Sequence, residues 1–139
     1  MADFHFYHPI EVRYGDLDPQ GHVNNAKFLT YFEQARIHYF VQLGLFGKDR
    51  SFMEVGFILA DVHVVFLSPI LLGMDVRAGL RTSKLGNKSM DVEHILVDEV
   101  SKKELARGET VLVTFDYRTG RSIPIPDEWR KKIREFEGL

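Results

Sequence analysis

The chain has 139 residues, of which 45% are hydrophobic and 27% charged. That is one domain's length, able to bury roughly two-thirds of its unfolded surface, and the composition excludes a disordered or membrane-embedded protein. Lys and Arg number 18 against 20 Asp and Glu, a net charge of -2 that argues against a dedicated nucleic-acid binder, and the lack of cysteine excludes disulfide frameworks, thiolate zinc sites and cysteine nucleophiles.

No linker, repeat or low-complexity tract interrupts residues 1–139, so one domain is expected. Ile10, Val12 and Tyr14 alternate with Glu11 and Arg13, which predicts a half-buried strand. Gly15 to Asn25 is rich in Gly, Asp, Pro and Asn, a loop with its own turn chemistry. From Ala26 to Leu43 the period changes: Phe28, Phe32, Ala35, Tyr39 and Leu43 mark one helical face. Leu29, Tyr31, Ile37, Phe40 and Val41 make the rest of that helix largely apolar, which predicts burial on most sides. Asn24 or Asn25 is suited to cap its start, and Gly44 its end.

Strands follow. Phe57 to Leu67 is rich in Val, Ile and Phe, and Val76, Ala78 and Leu80 alternate with charged residues. Gly86-Asn87 is a two-residue turn signal before Ser89 to Glu99, which predicts a hairpin. Leu105 to Tyr117 is the last strand. Pro124 and Pro126 then introduce Asp127 as the cap of a short helix carrying Trp129, Ile133 and Phe136. The fold class is α+β, one antiparallel sheet wrapped around one long helix. The longest apolar candidate, Val62 to Met74, is broken by His63, Ser68, Pro69 and Gly73, so no membrane span is expected. The first residues carry no positive n-region or apolar h-region, so a cytoplasmic location is expected.

The segment Tyr14-Gly15-Asp16-Leu17-Asp18-Pro19-Gln20-Gly21-His22-Val23-Asn24-Asn25 delivers carboxylates and an imidazole to the start of the buried helix. Unpaired N–H groups and the positive dipole end there would polarise a carbonyl oxygen and stabilise an oxyanion. A nearby carboxylate can attack the carbonyl carbon or deprotonate water. Taken alone, the same residues also describe a plain turn and cap.

That segment, with Phe28, Tyr31, Glu33 and Ala35-Arg36 after it, resembles the hotdog-fold acyl-CoA thioesterases, most closely the 4-hydroxybenzoyl-CoA thioesterase-like branch. Phe66-Leu67-Ser68-Pro69 with Gly73 resembles that family's entry into its third strand, Gly86 to Ser89 its hairpin, and Thr119-Gly120-Arg121 with Ile125-Pro126 its ending. The resemblance implies a hotdog fold, thioester hydrolysis to a free acid and coenzyme A, no cofactor, and a homodimer, often doubled to a tetramer. It assigns Asp18 as nucleophile or general base and the backbone N–H of Asn25 as the group that polarises the thioester carbonyl. His22 is similar to the histidine of the plant acyl-carrier-protein thioesterases, although Gln20 stands where that pattern has Asn. It therefore has two readings, orienting a water or Asp18, or bonding the loop backbone. Ser89 matches a position that contacts the nucleotide phosphates of coenzyme A, and Lys88 either complements those phosphates by charge or is simply solvated. Asp16 is read as an Asx-turn residue, and Glu33 as an i,i+3 partner of Arg36.

No Gly-x-Ser-x-Gly elbow, phosphate-binding Gly-rich loop or His-Glu-x-x-His pair occurs. Asp61 and His63 are expected on one face of a strand, without a metal. Two other functions remain: a hotdog enoyl-thioester hydratase or dehydratase using Asp18 and His22, and a non-catalytic acyl-CoA binding module. A carrier-protein thioester would need a docking surface, for which Arg118, Arg121, Arg130, Lys131 and Lys132 are candidates. Phe57 to Leu67 is the candidate edge for subunit pairing.

Overall fold

A computed structural model describes residues 4–46 and 54–139. The elements run β1 (Phe6–Ile10), a 3-10 turn (Tyr14–Asp16), α1 (Asn25–Gln42), β2 (Val55–Phe66), β3 (Val76–Leu85), β4 (Ser89–Asp98), β5 (Glu104–Asp116), β6 (Arg121–Ser122) and α2 (Asp127–Glu137). The strands form one antiparallel sheet in the order β1-β3-β4-β5-β2, with the two-residue β6 on β5. Its long strands curve around α1, the hotdog arrangement that the sequence resemblance implies.

The inner face of the sheet is the period-2 half of each strand: Val76, Ala78 and Leu80 on β3, Met90, Val92, His94 and Leu96 on β4, and Ala106 and Leu112 on β5, all buried. Against it α1 lays Phe28, Phe32, Ala35 and Tyr39. The closest approach is at Gly108, where a Cβ would stand 2.6 Å from Cε2 of the fully buried Phe32 ring. The ring has no room to retreat. Gly108→Ala is therefore expected to cost about 1–3 kcal/mol and to lower Tm by about 3–10 °C in a calorimetric scan. An unchanged Tm would show that α1 can move away from β5.

Asn24 caps α1, its side-chain oxygen accepting the Ala26 N–H at 2.9 Å. At the other end Gly44 takes φ of 79°, and the N–H groups of Gly44 and Leu45 turn back to the carbonyls of Val41 and Phe40. α2 closes the far end of the sheet with Trp129 and Ile133 buried. Phe46 and Phe57 meet the Trp129 ring at 5.7 and 5.2 Å, and Phe40 stacks on Phe57 at 4.5 Å.

Four sequence expectations are corrected here. The first strand is Phe6–Ile10 rather than Ile10–Tyr14, because its partner β3 begins at Val76, opposite Ile10, leaving Val12 and Tyr14 no ladder. The β3–β4 turn bends at Asn87 and Lys88, with the Gly86 N–H donating to the Ser89 carbonyl at 2.7 Å, one residue later than expected. Pro126, not Asp127, occupies the cap of α2, and Asp127 acts from the first turn through the helix dipole. Finally, α1 is not enclosed: Leu29, Ile37 and Val41 remain exposed along one flank.

Candidate active site

The loop between β1 and α1 is built around Asp16. Its carboxylate is buried and accepts the Tyr31 hydroxyl at 2.6 Å and the Arg13 N–H at 3.0 Å, with the Lys27 ammonium at 3.9 Å. Burial alone would raise the Asp16 pKa, but these donors and the nearby positive charges hold it below the usual carboxylate range. Burial and the Asp16 carboxylate together push the Tyr31 phenol upward. The Asp16 carbonyl also accepts the Asn24 N–H at 2.9 Å, so a single residue fixes both the loop and the helix cap. Asp16 is thus an anchor reaching from loop to helix, not the Asx-turn residue expected from sequence.

The Asx turn belongs to Asp18. Its Oδ1 accepts the Gln20 N–H at 2.9 Å, leaving the second oxygen without a partner among the described residues. The Asp18 N–H donates to the His22 carbonyl at 3.0 Å, and Leu17 bridges to Val23. Asp18, His22 and the start of α1 are therefore held together by one short hydrogen-bonded loop.

A hollow of about 230 Å³ opens at that helix start, lined by His22, Asn25, Phe28, Phe66, Leu67 and Pro69 among others. Asn25 is the first residue of α1, and its N–H has no acceptor among the described residues. A free donor at a positive helix end, beside a hollow walled largely by Phe28, Phe66, Leu67 and Pro69, suits a carbonyl oxygen. Asp18 lies beside this hollow in the loop but is not among its lining residues. The wall of Phe66 and Leu67 carries no chemical signal in sequence, and neither does the Tyr31 clamp on Asp16.

Tyr31→Phe tests that clamp. It leaves the buried Asp16 carboxylate short of its strongest donor, so a loss of about 1–3 kcal/mol is expected in urea unfolding. Unchanged unfolding would place the loop's support elsewhere.

Lys88 and Ser89 are not brought to this hollow. Phe66 pairs with Ala106 on β5 and Ser89 with Val113, seven residues further along, or about 23 Å at strand rise. Within one chain the two halves of the expected site occupy opposite ends of the sheet. The basic C-terminal residues are partly committed as well. Arg118 pairs with Asp116 at 3.2 Å, Arg130 donates to the Gly86 carbonyl at 2.9 Å, and Lys132 pairs with Glu128 at 3.2 Å.

Asp61 and His63 do share the outer sheet face, where they line a hollow of about 260 Å³ with Ser83, Asp91, Glu93 and Glu109. Among the described residues no three His, Asp or Glu side chains are grouped so as to hold a metal ion. No described helix is long and apolar enough to cross a membrane.

Residues 12–133 match the thioesterase-like superfamily. The chain belongs to that family. It is 40% identical to a Thermus thermophilus thioesterase solved with coenzyme A and zinc, covering 100% of this chain and 98% of that one with a TM-score of 0.86. It is 25% identical over 132 residues to the long-chain acyl-CoA thioesterase FadM of Escherichia coli, covering 91% of this chain and 96% of FadM. The chloroplastic acyl-acyl carrier protein thioesterase ATL3 of Arabidopsis thaliana is 23% identical over 136 residues, covering 98% of this chain and 70% of ATL3. The family is one of thioester hydrolases, and this chain is an enzyme of the acyl-CoA thioesterase type.

Proposed function

We propose that the hollow at the start of α1 holds the thioester carbonyl of an acyl-CoA and that Asp18 drives its hydrolysis. The observation that carries this reading is the Asn25 N–H, without an acceptor among the described residues, at a largely apolar hollow next to the loop that holds Asp18. The carbonyl oxygen accepts from that N–H, whose position at the helix end favours the negative charge that grows as the carbon becomes tetrahedral. Asp18 either attacks the carbonyl carbon, giving a mixed anhydride that water then cleaves, or takes a proton from the attacking water. In both routes the carbon–sulfur bond breaks, coenzyme A leaves as the thiol, and the acyl group leaves as a carboxylic acid. His22, which lines the hollow, orients the water in this scheme. No metal or redox cofactor enters this scheme.

Separation of the two halves of the site favours a homodimer. β2 is a sheet edge with Ile58, Leu59, Val65 and Phe66 exposed. An antiparallel twofold pairing of β2 with its copy would set the Val55 end of one chain beside the Phe66 end of the other. The hairpin carrying Lys88 and Ser89 of one chain would then approach the helix start of its partner, where the Lys88 ammonium can meet coenzyme A phosphates. We favour coenzyme A over a carrier protein because three of the five basic residues that would dock a carrier are engaged within the chain.

The test is thiol release from acyl-CoAs by the purified protein, with free acid measured in parallel and matched carrier-protein thioesters alongside. Equal amounts of thiol and acid from acyl-CoAs are expected. Hydration of an enoyl-CoA without thiol would establish the hydratase reading instead, and saturable binding without turnover the binding module.

A further inference from the structure

The tip of the β3–β4 hairpin is fastened at each of its carbonyls from Gly86 to Ser89. The Gly86 and Asn87 oxygens accept from Nη2 of Arg130, on the first turn of α2, at 2.9 and 3.3 Å. The Asn87 oxygen also accepts the Ile125 N–H at 2.9 Å. The Lys88 carbonyl accepts the Thr114 N–H of β5 at 2.8 Å, and the Ser89 carbonyl the Gly86 N–H at 2.7 Å. Ile125 is buried between Pro124 and Pro126, whose rings fix their own φ angles, and the Arg130 N–H donates to the Pro126 carbonyl at 3.0 Å. An exposed turn held only by its own two strands samples several conformers. This one is tied from outside the hairpin by a rigid strap and a guanidinium.

Its donors are left free. The N–H groups of Asn87 and Lys88, the Lys88 ammonium and the Ser89 hydroxyl have no acceptor among the described residues, and Asn87 and Lys88 are exposed. Successive N–H groups in one turn, with a cation and a hydroxyl beside them, match the oxygens of a phosphate. Donors already fixed in place lose less conformational freedom when an anion arrives than donors on a mobile tip.

We infer that Arg130 is a positioning residue for coenzyme A, holding the Gly86–Ser89 tip in the shape that receives the nucleotide phosphates. This rests on the reading that the hairpin carries those phosphates. Arg130 acts through two carbonyls of the tip and does not touch the ligand, so its effect falls on binding of the nucleotide and not on the chemistry of the thioester.

The experiment measures coenzyme A affinity by calorimetry, and KM and kcat for an acyl-CoA and for the matching acyl-pantetheine, which has the thioester but no nucleotide. Arg130→Met keeps the aliphatic stem and removes the donor. It is expected to weaken coenzyme A about tenfold and to raise KM for acyl-CoA by the same factor, with kcat and all acyl-pantetheine constants within about twofold of wild type. Arg130→Lys, which can still donate to both carbonyls, is expected to return the affinity to within about threefold of wild type. Arg134→Ala removes an equal charge one turn further along α2, without a side-chain bond to the hairpin, and is expected to change affinity less than about twofold. Unchanged coenzyme A affinity in Arg130→Met would overturn the inference, as would an equal loss in Arg134→Ala, which would mean that Arg130 acts by charge alone. An equal loss of turnover on acyl-pantetheine would overturn it too, making Arg130 a support of the whole fold. A wild-type chain with the same KM for acyl-CoA and acyl-pantetheine would show that the hairpin seats no phosphate. If the wild type releases no thiol while the calorimetric pattern holds, the hydrolysis reading fails and the role of Arg130 stands.

Discussion

Asp18→Asn is expected to lower kcat for acyl-CoA hydrolysis a hundredfold or more, about 2.7 kcal/mol of activation free energy, with little change in KM. The substitution keeps the size of the side chain, and its amide oxygen can still accept the Gln20 N–H that closes the Asx turn. The loop geometry therefore survives, and so does the hydrogen bond from the Asp18 N–H to His22. What is lost is an anionic oxygen able to attack carbon or take a proton from water, a function used in the transition state and not in binding. Steady-state rates and a matching circular dichroism spectrum check this. Equal kcat in the two proteins would place the chemistry on another residue, and His22 is then the nearest alternative.

Folding stability is expected to fall by about 2–3 kcal/mol between pH 6.5 and pH 4.5, and His94→Leu is expected to remove most of that fall. His94 is 98% buried on the inner face of β4, its ring 4.7 Å from that of Phe32, with neither ring nitrogen hydrogen-bonded. Burial, and then the positive charge of Arg36, push its pKa down to about 3. Below the ordinary histidine value of 6.5 the unfolded chain binds a proton that the folded chain refuses, so stability is complete above pH 6.5 and drains away as pH falls toward 3. His8 adds to the same slope: burial and then the stacked His38 ring, 3.9 Å away, lower its pKa. Asp16 has the same sign but a more acidic window, beginning near the ordinary carboxylate value and extending below it. Urea unfolding at half-unit pH steps separates these contributions. Identical pH slopes for wild type and His94→Leu would mean that the imidazole is protonated in the fold.

Periodicity made much of the architecture readable. A period of three to four from Phe28 to Leu43 and alternation from Val76 to Leu80 are local consequences of burying one face, and both elements stand where they were expected. The same argument misplaced β1, since alternation at Ile10, Val12 and Tyr14 records side-chain pattern but says nothing about whether a partner strand extends that far. It also overstated the burial of α1, because apolar spacing marks which residues share a helix flank and not whether the rest of the chain reaches far enough to cover it.

The proposed chemistry was legible only as a motif. Asp18, His22 and Asn25 lie within eight residues, so one loop had to place them near each other. Their support was not legible: Tyr31 reaches Asp16 through the geometry of packing α1 against the loop, and no spacing rule marks a tyrosine as that donor. Nor could sequence reveal that Lys88 and Ser89 stand at the other end of the sheet, since that follows from the strand order and register of β4 and β5. It is this separation that turns a list of residues into a claim about two chains.

A mixing experiment tests that claim most directly. Asp18→Asn chains lack the reacting group, and Lys88→Glu/Ser89→Glu chains repel the phosphates, so each homodimer is expected to be nearly inactive at low acyl-CoA concentration. Mixed and refolded in equal amounts, half of the dimers pair one chain of each kind. Each such dimer holds one intact site, made from an unaltered Asp18 loop and an unaltered hairpin, and about a quarter of the wild-type rate should return. If native mass spectrometry shows the mixed dimers formed and no activity returns, the site is not assembled from the Asp18 loop of one chain and the hairpin of the other.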